Sequence, residues 1–366
     1  MRRQEKTLGI MAIFKGSPNQ PTFREKSYYT TLTRIGSKLG IRIVVFSPRQ
    51  VDFTSRTIVG FELIEHTWQR IEIPFPQLIY DRYFMGPHIT KYRSIIERLQ
   101  NDPKITFLGR GLSGKWQVHN ILMKSKNLQK WLPQTKLFSP TLLETNLAEQ
   151  GAVIIKPMAG THGSGVIRIC SVKKGYELIG RTRDNKPFTR TLTTKKNLLS
   201  CIKKITKGRK YILQPYLKLH TSDGFPFDIR ILVQKNGRGK WTTTGKAVRV
   251  GKKESITSNL HGGGIAVPLE DFLMKHYPHD LCHQIIEEVG MLAQLLPPFL
   301  EKHHGRLVEL GIDVGVDTQG HVWIIEVNSR PGRTVFRQIE DGNARLHSVA
   351  QPVKYAEYLL NKRIGG

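Results

Sequence analysis

Three oxygen-bearing side chains near the end of the chain lie where two apolar strands would bring them together. They are Asp313 in VELGIDVGV (308–316) and Glu326 and Asn328 in WIIEVN (323–328). Residues two apart on a strand share a face, so Glu326 and Asn328 point the same way. A hairpin centred between Thr318 and Gln319 sets Asp313 opposite Ile324, diagonally beside Glu326 and on its face. A slip of one residue would part them. Two carboxylates and an amide oxygen converging from isoleucine- and valine-rich strands suit a hard cation, and Mg²⁺ takes such ligands together with substrate phosphates. The plain alternative, a charged edge on a solvated hairpin, fits poorly with Ile324, Ile325 and Val327 around Glu326.

A second cluster complements the first. Lys156 ends the apolar run VIIKP (153–157) and precedes the glycine-rich GTHGSG (160–165). A lysine at the end of a buried strand is costly unless its charge is matched, and such a loop presents several backbone N–H groups to a polyphosphate. Gly160, His162, Gly163, Ser164 and Gly165 are the candidate phosphate contacts. Arg230 of DIR (228–230) and Arg249 of KAVR (246–249) offer planar forks for phosphate or carboxylate oxygens. Asn259 and the three glycines at 262–264 suggest a backbone-lined loop near the same anion. Each of these, taken singly, reads as surface; together they describe a site.

The elements that must hold these residues can be read from periodicity. Residues 7–14 and 41–46 are β-branched, apolar strands flanking a helix with Tyr28, Leu32, Ile35 and Leu39 at helical spacing. Strand, helix and strand form a βαβ unit, which opens a parallel sheet. Further strands are expected at 57–64, 68–73, 77–80 and 105–108, with a helix at 91–100. Downstream the pattern gives a helix over 115–131, strands at 152–156 and 165–170, and strands around a turn within 181–195. A helix at 195–206 precedes strands at 211–214, 228–234 and 240–249. A helix at 280–304 is expected to kink or end at Pro297-Pro298. Division by sequence gives an N-terminal α/β domain at 1–112, a small subdomain with the glycine-rich loop at 113–210, a subdomain with the metal site at 211–345, and a C-terminal helix or tail at 346–366.

These motifs, in this order, resemble the ATP-grasp enzymes. The resemblance covers about residues 113–345 and rests on VIIKP with GTHGSG, QPYL (214–217), DIR, TSNLHGGG (257–264), Asp313 and EVN (326–328). The continuation NSRPG (328–332) is in the style of the ribosomal-protein glutamate ligases. LIYDRYF (78–84), GKWQVHNIL (114–122) and GKAVRVG (245–251) look more narrowly like the YheC/YheD group, ATP-grasp proteins of spore formers described as endospore coat-associated. The resemblance implies an α/β (α+β) chain: a Rossmann-like pre-ATP-grasp domain, then a two-subdomain ATP-grasp fold holding the nucleotide between two antiparallel sheets. By it, Lys115 and Lys156 contact the phosphates or adenine, and the 160–165 loop closes over the phosphates. Gln214, Tyr216 and Leu217 belong to the hinge at the adenine edge, and Asp228 joins the nucleotide-binding set. Gln214-Pro215 stands where many relatives carry an acidic residue, and Asp223 is a candidate ribose ligand. Asp313, Glu326 and Asn328 hold one or two Mg²⁺ (or Mn²⁺) ions. Arg230, Arg249 and Asn259 are the catalytic set, the arginines neutralising the γ-phosphate and an acyl phosphate. The implied activity is ATP-dependent joining of a carboxylate, acidic or peptide-like, to an amine or thiol, with spore-coat proteins as candidate partners.

Composition frames two competing readings. The 366 residues carry 57 basic and 29 acidic side chains, a formal charge of +28, and residues 166–254 alone hold 23 lysines and arginines against 5 acidic residues. Nucleic-acid binding would use such charge, yet no recognition helix, zinc finger or aromatic-interleaved strand accompanies it; a basic rim for an acidic substrate or partner fits better. The other competitor is a coat-associated protein that binds nucleotide with little turnover. No apolar run reaches the length of a membrane span. The three cysteines are odd in number and far apart, as expected of a cytoplasmic protein. Two motifs are decoys. GRGLSGKW (109–116) lacks the Ser or Thr hydroxyl a P-loop needs. His276, His279 and His283 are interrupted by Pro278, so a solvated helix start is expected there rather than a zinc face.

Overall fold

The computed structural model describes residues 5–17, 20–83, 88–160, 163–253 and 264–364. The expected βαβ opening is present: β1 (Thr7–Ala12), a small hairpin of β2 (Phe14–Ser17) and β3 (Gln20–Phe23), α1 (Lys26–Lys38) and β4 (Arg42–Asp52), with β1 and β4 parallel. The sheet continues through β5 (Thr57–Ile64), β6 (Thr67–Pro74), β7 (Leu78–Arg82), α2 (His88–Gln100) and β8 (Thr106–Phe107), in the order β6-β5-β4-β1-β7-β8. Every residue of β1 is buried, as befits a strand covered on both faces.

Two short helices, α3 (Lys115–Leu122) and α4 (Lys126–Gln129), replace the single helix expected over 115–131. A six-stranded antiparallel sheet follows, from β9 (Lys136–Leu137), α5 (Pro140–Gln150), β10 (Ala152–Pro157), β11 (Ile167–Val172), β12 (Gly175–Arg181), β13 (Pro187–Leu192), α6 (Lys195–Thr206) and β14 (Tyr211–Pro215), ordered β13-β12-β11-β10-β14-β9. A five-stranded antiparallel sheet comes next, from β15 (Phe227–Lys235), β16 (Trp241–Val250), β17 (Ile265–Val267), α7 (Leu269–His276), α8 (His279–His304), β18 (Glu309–Val316) and β19 (Val322–Asn328), ordered β17-β16-β15-β18-β19. The chain ends in α9 (Thr334–Gln338) and α10 (Gly342–Ile364).

Packing departs from the division by sequence in three places. Strand β14 pairs with β10 in the middle sheet, so the 210/211 boundary falls inside that unit. Leu112, Val118, Leu122 and Trp131 lie in the core formed by α8 and the C-terminal sheet, not with the glycine-rich subdomain. Val353, Tyr355 and Leu360 of α10 pack in the core of the N-terminal domain. Helix α8 also runs through Pro297-Pro298 to His304, with Leu296, Pro297 and Leu300 buried. Apolar burial along that stripe offsets the missing backbone bonds. Among the described residues no helix is long and apolar enough to cross a membrane.

Candidate active site

Strand alternation builds the site. On β10 the side chains of Val153 and Ile155 enter the core beneath α5 and α6, while Ile154 and Lys156 turn to the other face. The neighbouring strands obey the same rule: Leu213 of β14 and Ile167 and Ile169 of β11 are core, and Ile212, Gln214 and Arg168 face outward. Across the cleft, Ile229 and Ile231 of β15 and Ile312 and Val314 of β18 pack against α8. Asp228, Arg230, Arg249 and Asp313 therefore point the opposite way, into a cavity of about 1060 Å³ between the two antiparallel sheets.

Asp313 meets Glu326 directly across the β18–β19 ladder, and Gly311 meets Asn328. The hairpin expectation differs twice from this register. Near the turn the pairing is shifted by one, with Val314 opposite Ile324, and a bulge beyond it shifts the rest by one more. The two shifts add, so Asp313 and Glu326 share a face as neighbours rather than diagonally.

Charge in the cavity is tightly matched. Arg230 donates to Asp313 from Nε at 2.5 Å and Nη2 at 3.1 Å. Arg249 donates to Asp228 from Nε at 2.6 Å and Nη2 at 2.8 Å, and its Nη2 lies 3.1 Å from Asp313. Burial opposes ionisation of Asp313, but Arg230 and Arg249 hold its carboxyl below the usual carboxylate range. Lys115, at the first turn of α3, donates to the carbonyl of Gly160 at 3.2 Å and pairs with Glu326. Lys156 is different. Burial, reinforced by the neighbouring Lys115, pushes its ammonium down to about 8, against the opposing pull of Glu326. Among the described residues it has no hydrogen-bond acceptor, and an anion is what such a group lacks.

Most of the residues singled out in the sequence meet here. Lys115, Lys156, Gly160, Gly163 and Ser164 line one side with Gln214, Tyr216 and Leu217; Asp228, Arg230 and Arg249 line the other with Asp313, Glu326 and Asn328. Gly165 does not line the cavity; its φ of +75° and the Tyr211 hydroxyl 3.0 Å from where a Cβ would sit give it a backbone role instead. Asp223 is likewise not among the lining residues. His162 and Asn259 lie outside the described residues. His276 closes α7 and His279 opens α8, so the three histidines do not form one helix face, and among the described residues no three histidine, cysteine or carboxylate side chains group as a metal site. The oxygen donors of Asp313, Glu326 and Asn328 nevertheless fit a hard cation that shares its coordination with phosphate; the two carboxylates are at present paired with Arg230, Arg249 and Lys115.

Several residues escaped the sequence reading. Arg168 stacks over the Tyr216 ring at 5.1 Å and pairs with Glu177 at 2.9 Å. At the far end of the cavity Glu25, from the N-terminal domain, is gripped by Arg82 at 2.6 Å, and Arg330 pairs with Asp81 of β7. The motifs LIYDRYF and NSRPG contain these partners. Their signal was Asp81 and Arg82 in the first motif and Arg330 in the second, but no spacing rule joins Asp81 to Arg330, 249 residues away.

Two antiparallel sheets closing on a cavity, Lys156 on one and carboxylates with arginines on the other, with Lys115 reaching in from α3, define an ATP-grasp fold. A family model described as YheC/D like ATP-grasp matches residues 104–359. The chain belongs to that family. It is 31% identical over 366 residues to the endospore coat-associated protein YheC of Bacillus subtilis, covering 98% of this chain and 97% of that one. It is 29% identical over 356 residues to the endospore coat-associated protein YheD of the same organism, covering 93% and 76%. Among solved structures, D-cycloserine synthetase DcsG aligns with a TM-score of 0.55 at 13% identity, covering 97% of this chain and 99% of that one. D-alanyl-alanine synthetase A from Vibrio cholerae aligns with a TM-score of 0.52, also at 13% identity and with 97% and 99% covered. At those identities the structures speak for the fold.

Proposed function

We propose that this chain is an ATP- and Mg²⁺-dependent ligase that joins a carboxylate to an amine or thiol through an acyl phosphate. The observation that carries the reading is Lys156: a cation with its pKa depressed to about 8 and no acceptor among the described residues, facing the Asp313–Glu326 pair in one cavity. Tripolyphosphate supplies the missing anion. Asp313, Glu326 and Asn328 would hold Mg²⁺, which when bound offsets the charge of the transferring phosphoryl group.

The protein's own groups account for the rest. Lys115 and Lys156 hold the phosphates, beside the backbone of Gly160, Gly163 and Ser164. The substrate carboxylate oxygen attacks the γ-phosphorus, the bond to the β,γ-bridging oxygen breaks, and ADP leaves. The nucleophile then attacks the acyl carbon, releasing inorganic phosphate and, finally, its own proton to solvent. Arg230 and Arg249 are fixed in advance by Asp313 and Asp228, and among the described residues no hydrogen bond engages Nη1 of either. A preorganised donor of this kind contributes about 3 kcal/mol to transition-state stabilisation. Glu25 and Arg330 mark the far end of the cavity as the place for an acidic or peptide-like substrate. The names of the two relatives support work at or near the endospore coat.

The test is calorimetric titration of ATP with and without Mg²⁺, on the wild type and on Glu326→Ala. Metal-dependent binding that the variant loses supports the assignment and opens a phosphate-release screen of carboxylates with amines. Absence of ATP binding by the wild type at low and moderate salt overturns the reading.

A further inference from the structure

Much of the positive charge in the middle of the chain sits away from the cavity. Residues 195–210 carry seven lysines and arginines and no acidic residue, and none of them lines the cavity. Helix α6 lies on the other face of the middle sheet, where Leu198, Cys201 and Ile202 pack with Val153, Ile155 and Leu178. Lys196 and Lys203, seven residues apart, stand on the side of the helix opposite that stripe and are exposed, with Lys195 and Lys204 flanking them. A Cβ at Gly175 would meet Cα of Thr193 at 2.8 Å. The β11–β12 turn, with exposed Lys173 and Lys174, therefore sits against the entry to α6.

The stability of α6 does not call for this charge. Lys203 and Lys204 suit the last turn, but two lysines also open the helix, where its dipole favours acidic residues. Lys195 pairs with Glu144 at 2.6 Å; among the described residues no hydrogen bond or ion pair engages the other five ammonium groups. The chemistry of the face narrows its partner. Residues 193–210 hold no aromatic ring on which a base could stack, and one arginine among six lysines offers few forks for paired phosphate recognition. Protein interfaces are depleted in lysine. Lysines side by side suit an anionic bilayer, which attracts each charge at its surface. Val172, 42% exposed at the same turn, adds an apolar contact.

We propose that the outer face of α6, with the β11–β12 turn, is a docking surface for an anionic phospholipid membrane. The apolar stripe of the helix is committed to the core, so attachment is by charge and α6 does not insert. The cavity lies on the opposite face of the sheet, so a bilayer against α6 does not cover it.

The experiment sediments the full chain with vesicles of equal parts phosphatidylglycerol and phosphatidylcholine, and with phosphatidylcholine alone, across a salt series, with thermal melts to confirm folding. Binding to the anionic vesicles only, weakening as salt rises, is expected. Each lysine near such a surface contributes about fivefold in affinity, so Lys196→Gln with Lys203→Gln is expected to lose about 25-fold. Lys196→Arg with Lys203→Arg keeps the charge and the binding. Lys26→Gln with Lys302→Gln, on exposed lysines of α1 and α8, removes the same charge elsewhere and is expected to keep most of the affinity. An equal loss in the two glutamine pairs means that net charge, not this face, drives binding, and overturns the proposal. Failure of the wild type to bind the anionic vesicles at low salt overturns it too. Duplex DNA that binds more tightly than the vesicles at equal phosphate concentration, with the same dependence on Lys196 and Lys203, overturns the lipid assignment in favour of nucleic acid.

Discussion

At the level of single residues, Lys156 shows how a functional group is held at a cost to the fold. Its ammonium titrates at about 8 because burial, and then Lys115, disfavour the charged form. A lysine with its pKa lowered in the folded state destabilises that state below pH 8, and the penalty fades as the pH rises toward the unfolded value near 10.4. Lys156→Met is therefore expected to melt higher than wild type at pH 7 while losing ATP binding. A lower melting temperature, or retained affinity, would contradict this. Binding phosphate restores the proton, so the wild-type affinity for ATP should fall about tenfold per pH unit above 8, with proton uptake visible as a buffer-dependent heat of binding. Asp313 carries the opposite logic. It answers two arginines, and Asp313→Asn leaves both without their shared anion, which is expected to destabilise the chain by about 3–5 kcal/mol in urea titrations. The lysines, arginines and carboxylates were legible in the sequence because each residue type sits beside an apolar run where it is expensive. Their pairing was not, since Asp228 could as well have faced Arg230 as Arg249 until the β15–β16 register fixed it.

At the level of elements, the site depends on close approach between β18 and the segment after β19. A Cβ at Gly311 would sit 2.8 Å from Cβ of Pro331, in the NSRPG segment. Gly311→Ala is expected to cost about 1–3 kcal/mol and to weaken metal-dependent nucleotide binding, since Gly311 faces Asn328 across the ladder. Equal Tm and affinity in the variant would show that the segment moves freely. The turn that sets the register is itself fixed by Asp317, which accepts from the backbone N–H groups of Gln319 and His321 at 3.0 Å and from the Trp323 indole at 2.9 Å. Most elements were readable from periodicity, and α6 and β5 match their expected limits. Among those that were not, three show why. The β18–β19 bulge has no residue signature, because Ile324 and Ile325 are both apolar and either could be core. Strand β9 has only two residues, Lys136 and Leu137, too few for any period to show. The α3–α4 break at 123–125 was hidden because its apolar positions continue at helical spacing across the turn.

At the level of the whole molecule, the N-terminal domain is welded to the ATP-grasp unit by a buried ionic knot. Glu309, fully buried at the start of β18, accepts from Tyr80 at 2.5 Å, Arg82 at 3.1 Å and Gln234 at 2.9 Å, and also from Arg333. Arg82 in turn grips Glu25, which burial would neutralise but the Arg82 charge keeps ionised. Nothing in the sequence order announces this, because the knot joins β7, the turn before α1, β18 and the segment leading into α9. Removing one charge from such a network leaves others unpaired in a poorly hydrated place. Glu309→Gln keeps the shape and deletes the charge, so it is expected to cost about 3–5 kcal/mol. The loss should fall unevenly. Arg82 retains Glu25, whereas Arg333 is left with the backbone carbonyls of Ser348 and Pro331, the Tyr80 hydroxyl and the Tyr28 ring, and among the described residues with no carboxylate hydrogen-bonded to it. Adding Arg333→Met to Glu309→Gln should therefore recover part of the stability, a rescue that additive effects cannot produce. Urea unfolding of the two single variants and the double variant measures that coupling. A double variant no more stable than Glu309→Gln would mean that Arg333 is satisfied without Glu309, and that the two halves are held together by their apolar contact, with α10 packed on the N-terminal core, rather than by charge.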